Sequence, residues 1–181
     1  VNSRNFQMPA ALLTDFSLLR FSGADAAAFL HGQLTCDVLA LQVGRSSYGG
    51  YCTPKGRLLA TFLLWHDDNG YLMFLPKSLA EGIRKRLSMY ILRAKVKAES
   101  LDGQAQCIGI TGADEQQQIA ALGGALPNLV HDVTTREGCS VIRLPGDRFL
   151  AVTAGAMTDI PADTVAWRAI DIANGIPFIQ P

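Results

Sequence analysis

The sequence has 181 residues, of which 49% are apolar and 18% charged, and 16 basic residues balance 16 acidic ones. A chain of this length buries enough apolar surface to fold without disulfides, and its zero net charge gives no general attraction to nucleic acids or anionic membranes. No apolar stretch approaches the roughly 18 residues of a membrane span and no signal segment precedes the domain, which predicts a cytoplasmic protein that binds neither membrane nor nucleic acid directly.

Four helices are predicted along the chain. Ser22 with Asp25, and Ser78 with Glu81, are typical of capping boxes, in which two side chains satisfy free backbone N–H groups at a helix start. Apolar periodicity and glycine stop signals then place the helices over residues 26–30, 78–92, 111–122 and 164–173.

Strands fill the intervals between the helices. The run from Leu58 to Trp65 is typical of a central strand buried on both faces, and the turn signal from Asp67 to Gly70 leads into a returning strand. The predicted strands cover residues 58–65, 71–75, 95–99, 105–110, 139–144 and 148–153. Because hairpins dominate, the pattern favours an α+β fold with antiparallel sheets over a doubly wound parallel one.

One short pattern occurs twice. The strand and turn of residues 19–25 resemble those of residues 109–114, each leading into a helix. The pattern indicates either two ordinary capping boxes or an internal duplication, with pseudo-repeats over residues 1–102 and 103–181.

The common signatures of catalysis, phosphate binding and metal binding are absent. The sequence contains no Gly-x-Gly-x-x-Gly, Walker loop, Gly-x-Ser-x-Gly or His-Glu-x-x-His motif, so no catalytic residue is predicted. The four cysteines include no Cys-x-x-Cys pair and the three histidines are widely separated, so no metal site is predicted either. Scattered free thiols agree with a reducing compartment.

Polar residues alternate in the segment that follows the first predicted helix. Gln33, Thr35 and Asp37 are spaced two apart, so in an extended conformation they face the same side and form part of a pocket wall. The alternative is a helix exit whose polar side chains satisfy their own backbone.

Aromatic and basic residues come together in the next segment. Tyr48 and Tyr51 flank a glycine pair and offer stacking faces for a flat heterocycle. Lys55 and Arg57 follow in a Pro-Lys-Gly-Arg turn and offer partners for carboxylates or phosphates. The segment therefore suits a planar ligand with an anionic tail, and the alternative is a β-hairpin with a basic tip.

Four motifs occur in an order that resembles the YgfZ family and the wider aminomethyltransferase superfamily. The opening motif is Gly-Ala-Asp-Ala-Ala-Ala-Phe-Leu-His-Gly-Gln-Leu-Thr-Cys-Asp-Val, and a Pro-Lys-Gly-Arg loop follows it ahead of an apolar strand. A helix-to-strand junction at residues 90–96 and a segment at residues 168–178, which starts with Arg168 and contains Ala-Asn-Gly-Ile-Pro, complete the resemblance, which extends over nearly the whole chain.

The resemblance implies an α+β folate-binding domain with duplicated antiparallel sheets arranged as a pseudo-barrel, and tetrahydrofolate or a one-carbon derivative as its ligand. It also implies a role in iron–sulfur cluster assembly or repair and in tRNA modification, with iron–sulfur enzymes or assembly factors as partners. On this reading the expected folate-binding residues are Gln33, Thr35, Asp37, Tyr48, Tyr51, Lys55, Arg57 and Arg93.

The resemblance also implies parts that this sequence does not contain. The family's Lys-Gly-Cys-Tyr-x-Gly-Gln-Glu motif would lie beyond Pro181, as would a C-terminal β-barrel domain, so the chain is expected to be a fragment of a longer protein.

Two alternative functions remain open. An aminomethyltransferase would need a carboxylate near the acceptor nitrogen of the folate, for which Asp37 is the candidate. A protein-binding module with a vestigial pocket would use a surface such as the basic run from Arg84 to Arg86, which is also typical of a solvated helix face.

Overall fold

The structure, a computed structural model, describes residues 10–112, 114–155, 160–177 and 179. Within them the chain forms ten strands and four helices. In chain order these are β1 (Ala10–Leu12), β2 (Phe16–Ser22), α1 (Ala26–His31), β3 (Ser46–Cys52), β4 (Leu58–Asp67), β5 (Gly70–Pro76), α2 (Lys77–Ser88), β6 (Lys97–Ser100), β7 (Ala105–Thr111), α3 (Glu115–Ala121), β8 (Val133–Arg136), β9 (Cys139–Leu144), β10 (Arg148–Ala154) and α4 (Val165–Ala173).

The strands form two five-stranded sheets. The first sheet has the order β3-β4-β5-β2-β6 and the second sheet the order β8-β9-β10-β7-β1. The strand pairs are antiparallel throughout, which confirms the predicted α+β class. In the described part of the chain the sheets stay separate and do not close into one barrel.

Both sheets bury apolar side chains on their two faces. In β5, Leu72 and Phe74 point into the layer between the sheets, whereas Met73 and Leu75 point towards α1 and α2. Strand β10 alternates in the same way between the inter-sheet layer and a smaller core under α3. Because side chains alternate with period two along a strand, continuous apolar runs such as that of β4 belong in the centre of such a layered structure.

The predicted helices form, but their capping and length differ from the sequence patterns. Helix α2 begins at Lys77, and the predicted Ser78–Glu81 capping box does not form. The Glu81 carboxylate instead accepts hydrogen bonds from Arg84 at 2.8 Å. The helix ends at Ser88 rather than at residue 92, because the chain turns there and Leu92 adopts a left-handed φ of 42°.

The two sheets share one connectivity. In each, a strand and a helix precede a three-stranded meander, and the first strand then inserts between the meander and an edge strand. The edge position taken by β6 in the first sheet is taken in the second by β1, which comes from the start of the chain. This correspondence supports the proposed duplication; Ala113 in the second copy of the short pattern lies outside the described residues.

Candidate ligand cavity

A cavity of about 320 Å³ lies between the sheets at the β3 side. Strands β3, β4 and β5 supply most of its wall, and the rest comes from β2, β9, α4 and the segments that follow α1 and α4. Its aromatic and carboxyl-bearing residues are Phe16, Tyr48, Phe62, Phe74, Trp167 and Asp171. The surroundings are therefore mostly apolar, with a small number of polar groups, as in most small-molecule sites.

Thr35 and Leu58 mark the opening of the cavity, since both line it and both are exposed. The Thr35 backbone N–H donates to the Gly50 carbonyl at 3.0 Å, and the Gly50 N–H donates to Thr35 Oγ1 at 2.8 Å. The segment after α1 is thus fastened along β3. At the other side, Thr61 Oγ1 donates to the Pro177 carbonyl at 2.8 Å and holds the segment after α4 against β4.

Tyr48 lines the cavity. Its ring and the His131 ring form a T-shaped contact, with a centroid distance of 5.3 Å and an interplanar angle of 86°. Burial raises the pKa of Tyr48 to about 12, against the opposing effect of the nearby Arg148 guanidinium. The phenol is therefore neutral at physiological pH and keeps a proton that it can donate.

A buried ion pair stands behind the cavity wall. Arg148 has no exposed surface, and its Nη2 donates to Asp171 Oδ1 at 2.5 Å while Nη1 donates to the Trp167 carbonyl at 3.1 Å. The guanidinium also lies 4.2 Å from the Trp167 ring centroid, a cation–π contact. Arg148 thereby fixes both α4 residues that line the cavity.

Asp171 brings a carboxyl group to this apolar wall, and only 6% of the residue is exposed. Burial raises the pKa of Asp171, while its hydrogen bond to Arg148 and the charges of Arg148 and Arg168 act in the opposite direction. The group accepts hydrogen bonds when ionised and gains a donor when protonated, so it can recognise ring N–H groups of a ligand.

The glycine pair of β3 allows close packing beside the cavity. A Cβ on Gly49 would lie 2.7 Å from Phe62 Cε2 and 2.8 Å from Cys36 Sγ, and a Cβ on Gly50 would lie 2.7 Å from Leu58 Cδ1. Residues larger than glycine would displace these neighbours. The sequence placed the pair between two tyrosines, and the structure places it inside a strand that pairs with β4 as a hairpin with a basic tip.

Of the eight residues expected to bind the ligand, the structure places Thr35 and Tyr48 on the cavity wall. Lys55 and Arg57 are exposed in the β3–β4 turn and directly precede Leu58 at the opening. These four residues are therefore brought to one region.

The other four lie away from the wall. Asp37 is exposed, pairs with His31 Nδ1 at 3.4 Å and accepts a hydrogen bond from the Ala40 N–H at 3.1 Å. Tyr51 is only 3% exposed and belongs to the core under α1 and α2. Gln33 is half-buried and Arg93 is exposed, and neither lines the cavity.

Sequence reasoning missed Phe16, Phe74, Trp167, Asp171 and the supporting Arg148. They come from distant parts of the chain, and each follows an ordinary strand or helix pattern. The one available sequence signal for these residues is Asp171. It shares the inner face of α4 with Trp167, and a buried charged residue requires a partner.

The described part of the chain shows neither a group of metal ligands nor a helix able to span a membrane. Within it, no three His, Cys, Asp or Glu side chains are grouped as metal ligands would be. None of the helices found there combines the length and apolar character needed to cross a membrane.

The fold is that of the glycine-cleavage aminomethyltransferases. The chain superposes on aminomethyltransferase T of the glycine cleavage system from Bartonella henselae with a TM-score of 0.69 and 15% identity, over 88% of this chain and 44% of that one. A chain of the heterotetrameric sarcosine oxidase from Corynebacterium sp. U-96, solved with pyrrole 2-carboxylate, matches with a TM-score of 0.57 and 12% identity, over 95% and 86%. At these identities the likeness shows the fold alone.

Comparison with curated proteins shows which family of this fold the chain resembles. The chain is 29% identical to the tRNA-modifying protein YgfZ of Sodalis glossinidius over 93% of its length, and 31% identical to that of Vibrio vulnificus strain CMCP6 over 96%. It spans about half of these relatives, 55% in each case. No family model matches the chain. The resemblance to the YgfZ family is therefore confirmed.

Proposed function

We propose that the chain binds tetrahydrofolate or a one-carbon derivative in the inter-sheet cavity, as the folate-binding part of a YgfZ-type accessory protein. The observation that carries the proposal is the combination of aromatic walls with one buried carboxyl group in a cavity of about 320 Å³. Flat, partly polar heterocycles need both features.

The cavity suits the ring of a folate rather than the whole molecule. Its volume lies at the lower end of the roughly 300–1,000 Å³ typical of small-molecule sites. Phe16, Phe74 and Trp167 offer aromatic surface to the ring system. Asp171 accepts hydrogen bonds from ring and amino N–H groups, and the neutral Tyr48 hydroxyl supplies a further donor.

The glutamate tail then leaves through the opening marked by Thr35 and Leu58. Lys55 and Arg57, in the adjoining turn, are free to meet its carboxylates by charge-assisted hydrogen bonds. This division assigns ring recognition to the cavity wall and tail recognition to the β3–β4 turn.

The wider role is a proposal, which the names of the relatives support for tRNA modification. The proteins of Sodalis and Vibrio are named tRNA-modifying. We extend to the protein containing this chain a cytoplasmic role in tRNA modification and in iron–sulfur cluster assembly or repair, with cluster enzymes or assembly factors as partners. The folate cavity would serve that role without turnover of its own.

The tail assignment is tested by isothermal titration calorimetry with tetrahydrofolate. Lys55→Ala combined with Arg57→Ala should weaken binding at least about tenfold, or about 1.4 kcal/mol. Lys97→Ala with Arg136→Ala is the matched control, because it removes two exposed cations from other strands. Unchanged affinity in a folded Lys55/Arg57 variant contradicts the tail assignment.

An aminomethyltransferase is the second candidate, supported by the shared fold and by a carboxyl group on the cavity wall. The carboxylate expected for this role, Asp37, is exposed and lies off the wall, so Asp171 replaces it as the candidate. Formation of methylenetetrahydrofolate from a lipoyl-bound aminomethyl substrate would establish turnover, and its loss in an Asp171→Asn protein shown to be folded would assign the carboxyl group to it. Absence of folate binding in the intact protein would instead favour a module with a vestigial pocket.

A further inference from the structure

Helix α4 exposes apolar side chains to solvent, although it also buries an inner face. Its inner face holds Trp167 and Asp171, which are 3% and 6% exposed. On its outer face Val165 is 77% exposed and Ile172 is 80% exposed. The remaining exposed positions of the helix are Ala166, Ala169 and Ala173.

An ordinary surface helix places polar side chains on its solvent-facing side, and α4 does not. Val165, Ala169 and Ile172 are separated by four and three residues, so they form one continuous apolar stripe. The two charged side chains of α4 do not interrupt it. Asp171 is paired with Arg148 on the buried side, and Arg168 reaches sideways to Asp15 at 2.9 Å.

Single exposed apolar residues are common on protein surfaces, but a whole helical face without a polar side chain is not. Such a face costs free energy in water, and burying it against another apolar surface removes that cost. Because the stripe carries no charge, it offers nothing to a phosphate backbone or to an acidic peptide. Its complement is an apolar protein surface.

We propose that the outer face of α4 is the docking surface for a further segment of the same polypeptide, one that these 181 residues do not include. The docking segment would come from the part of the protein that this chain does not span, since the chain covers only 55% of the Sodalis and Vibrio proteins. A protein of their length has nearly as many residues again to place against this domain. An intramolecular segment also meets the stripe at a high effective concentration.

Docking on this face bears on the cavity. The opposite face of the same helix holds Trp167 and Asp171 against the cavity, and the segment that follows the helix contributes Ile176 and Pro177 to it. A segment bound to the outer face of α4 therefore stabilises the position of the cavity wall that the inner face of the helix forms. Ligand binding and docking stabilise the same position of α4 and are thermodynamically coupled.

The test uses the protein made from its complete reading frame, with single cysteines introduced by Ile172→Cys and, as a matched control, Val43→Cys. Val43 is 76% exposed and lies outside α4, so the two positions are equally accessible in this domain. Each protein is labelled with a thiol reagent, and the modified peptide is followed by mass spectrometry, which separates the new cysteine from the native ones. Each rate is divided by the rate for the same cysteine in denaturant.

Docking predicts that Cys at position 172 reacts at least about tenfold more slowly than Cys at position 43. Equal normalised rates overturn the proposal, as does a reading frame that stops at Pro181. Slow labelling caused by a second copy also overturns it; in that case protection at position 172 disappears on dilution, and analytical ultracentrifugation shows the corresponding dissociation. Slow labelling that is independent of concentration in a monomer supports the intramolecular segment.

Discussion

At the scale of single residues, burial sets the chemistry of the cavity wall. Tyr48 and Asp171 both have raised pKa values because ionisation would place a negative charge among apolar groups. The guanidinium of Arg148 counters this effect for both. The polar groups of the wall are thus held in position by one buried cation.

The raised pKa of Tyr48 predicts a specific loss of stability in alkali. The phenol ionises near pH 10 in the unfolded chain and near pH 12 in the folded one. The contribution of the neutral phenol to the free energy of unfolding is therefore complete below pH 10. It is lost as the pH rises from about 10 to 12, because the unfolded chain releases the proton first. Urea denaturation should show a steeper fall over this range in the wild type than in Tyr48→Phe. Parallel pH profiles of the two proteins would exclude burial of the phenol.

Asp171→Asn is expected to destabilise the fold by about 3–5 kcal/mol, because it leaves the fully buried Arg148 without a compensating charge. Asp37→Asn is the control, since that carboxylate is exposed and pairs only weakly with His31; its effect should stay below about 0.5 kcal/mol. Both free energies come from equilibrium unfolding in urea. Similar small losses in the two variants would mean that the Arg148–Asp171 pair is not buried in solution.

The sequence could indicate only part of the cavity at this scale. Thr35 and Tyr48 are local features of short polar and aromatic segments, and both line the cavity. Asp37 and Tyr51 belong to the same segments but lie elsewhere. Alternation predicts on which side of the strand a side chain lies, but it does not predict which other residues pack against that side. Asp171 and Arg148 become visible only when α4 and β10 are packed together.

At the scale of the elements, the packing of β3 requires glycine at two positions. Its two glycines pack against Phe62, Leu58 and Cys36 at distances that a side chain cannot occupy. The strand therefore lies closer to its neighbours than other residues would allow.

Gly49→Ala should destabilise the protein by about 1–3 kcal/mol, since the added methyl group overlaps the Phe62 ring and the Cys36 sulfur. Gly82→Ala is the matched substitution in the exposed part of α2, where the new methyl group meets nothing within 4 Å. It should instead stabilise by about 0.4–1 kcal/mol, because alanine loses less backbone freedom on folding. Thermal denaturation of both variants measures the contrast, and a stabilising Gly49→Ala would show that β3 is more loosely packed than described.

Element type was more predictable than element ends. The Asp67–Gly70 turn and the runs around it gave β4 and β5 because hairpin turns and apolar alternation are local signals. The end of α2 was not predictable from its apolar periodicity, which continues through Tyr90 and Ile91 while the chain has already turned to meet β6. Tertiary pairing there overrides local helix preference.

At the scale of the whole molecule, the described cavity lies between two sheets that share one connectivity apart from the origin of an edge strand. The second sheet is completed by β1, which comes from the opposite end of the described chain. Hairpin signals predicted the α+β class, but this exchange of edge strands depends on a three-residue strand without a distinctive pattern. Duplication therefore remains a proposal that the matched topology supports.

Removal of residues 1–12 should expose the edge of β7, because Ala10–Leu12 pairs with Ile108–Ile110. Hydrogen exchange is expected to accelerate in residues 105–111, while β2 and β5 of the first sheet keep their protection as an internal control. Unchanged protection of residues 105–111 would show that β1 does not complete the second sheet.

The central claim is that tetrahydrofolate binds in the cavity between the sheets, and a crystal structure determined with saturating tetrahydrofolate tests it most directly. We expect density for the ring among Phe16, Phe74 and Trp167, with the ring's N–H groups on Asp171 and the tail leaving beside Leu58 towards Lys55 and Arg57. A cavity without ligand density, or a ring bound elsewhere on the protein, would contradict it.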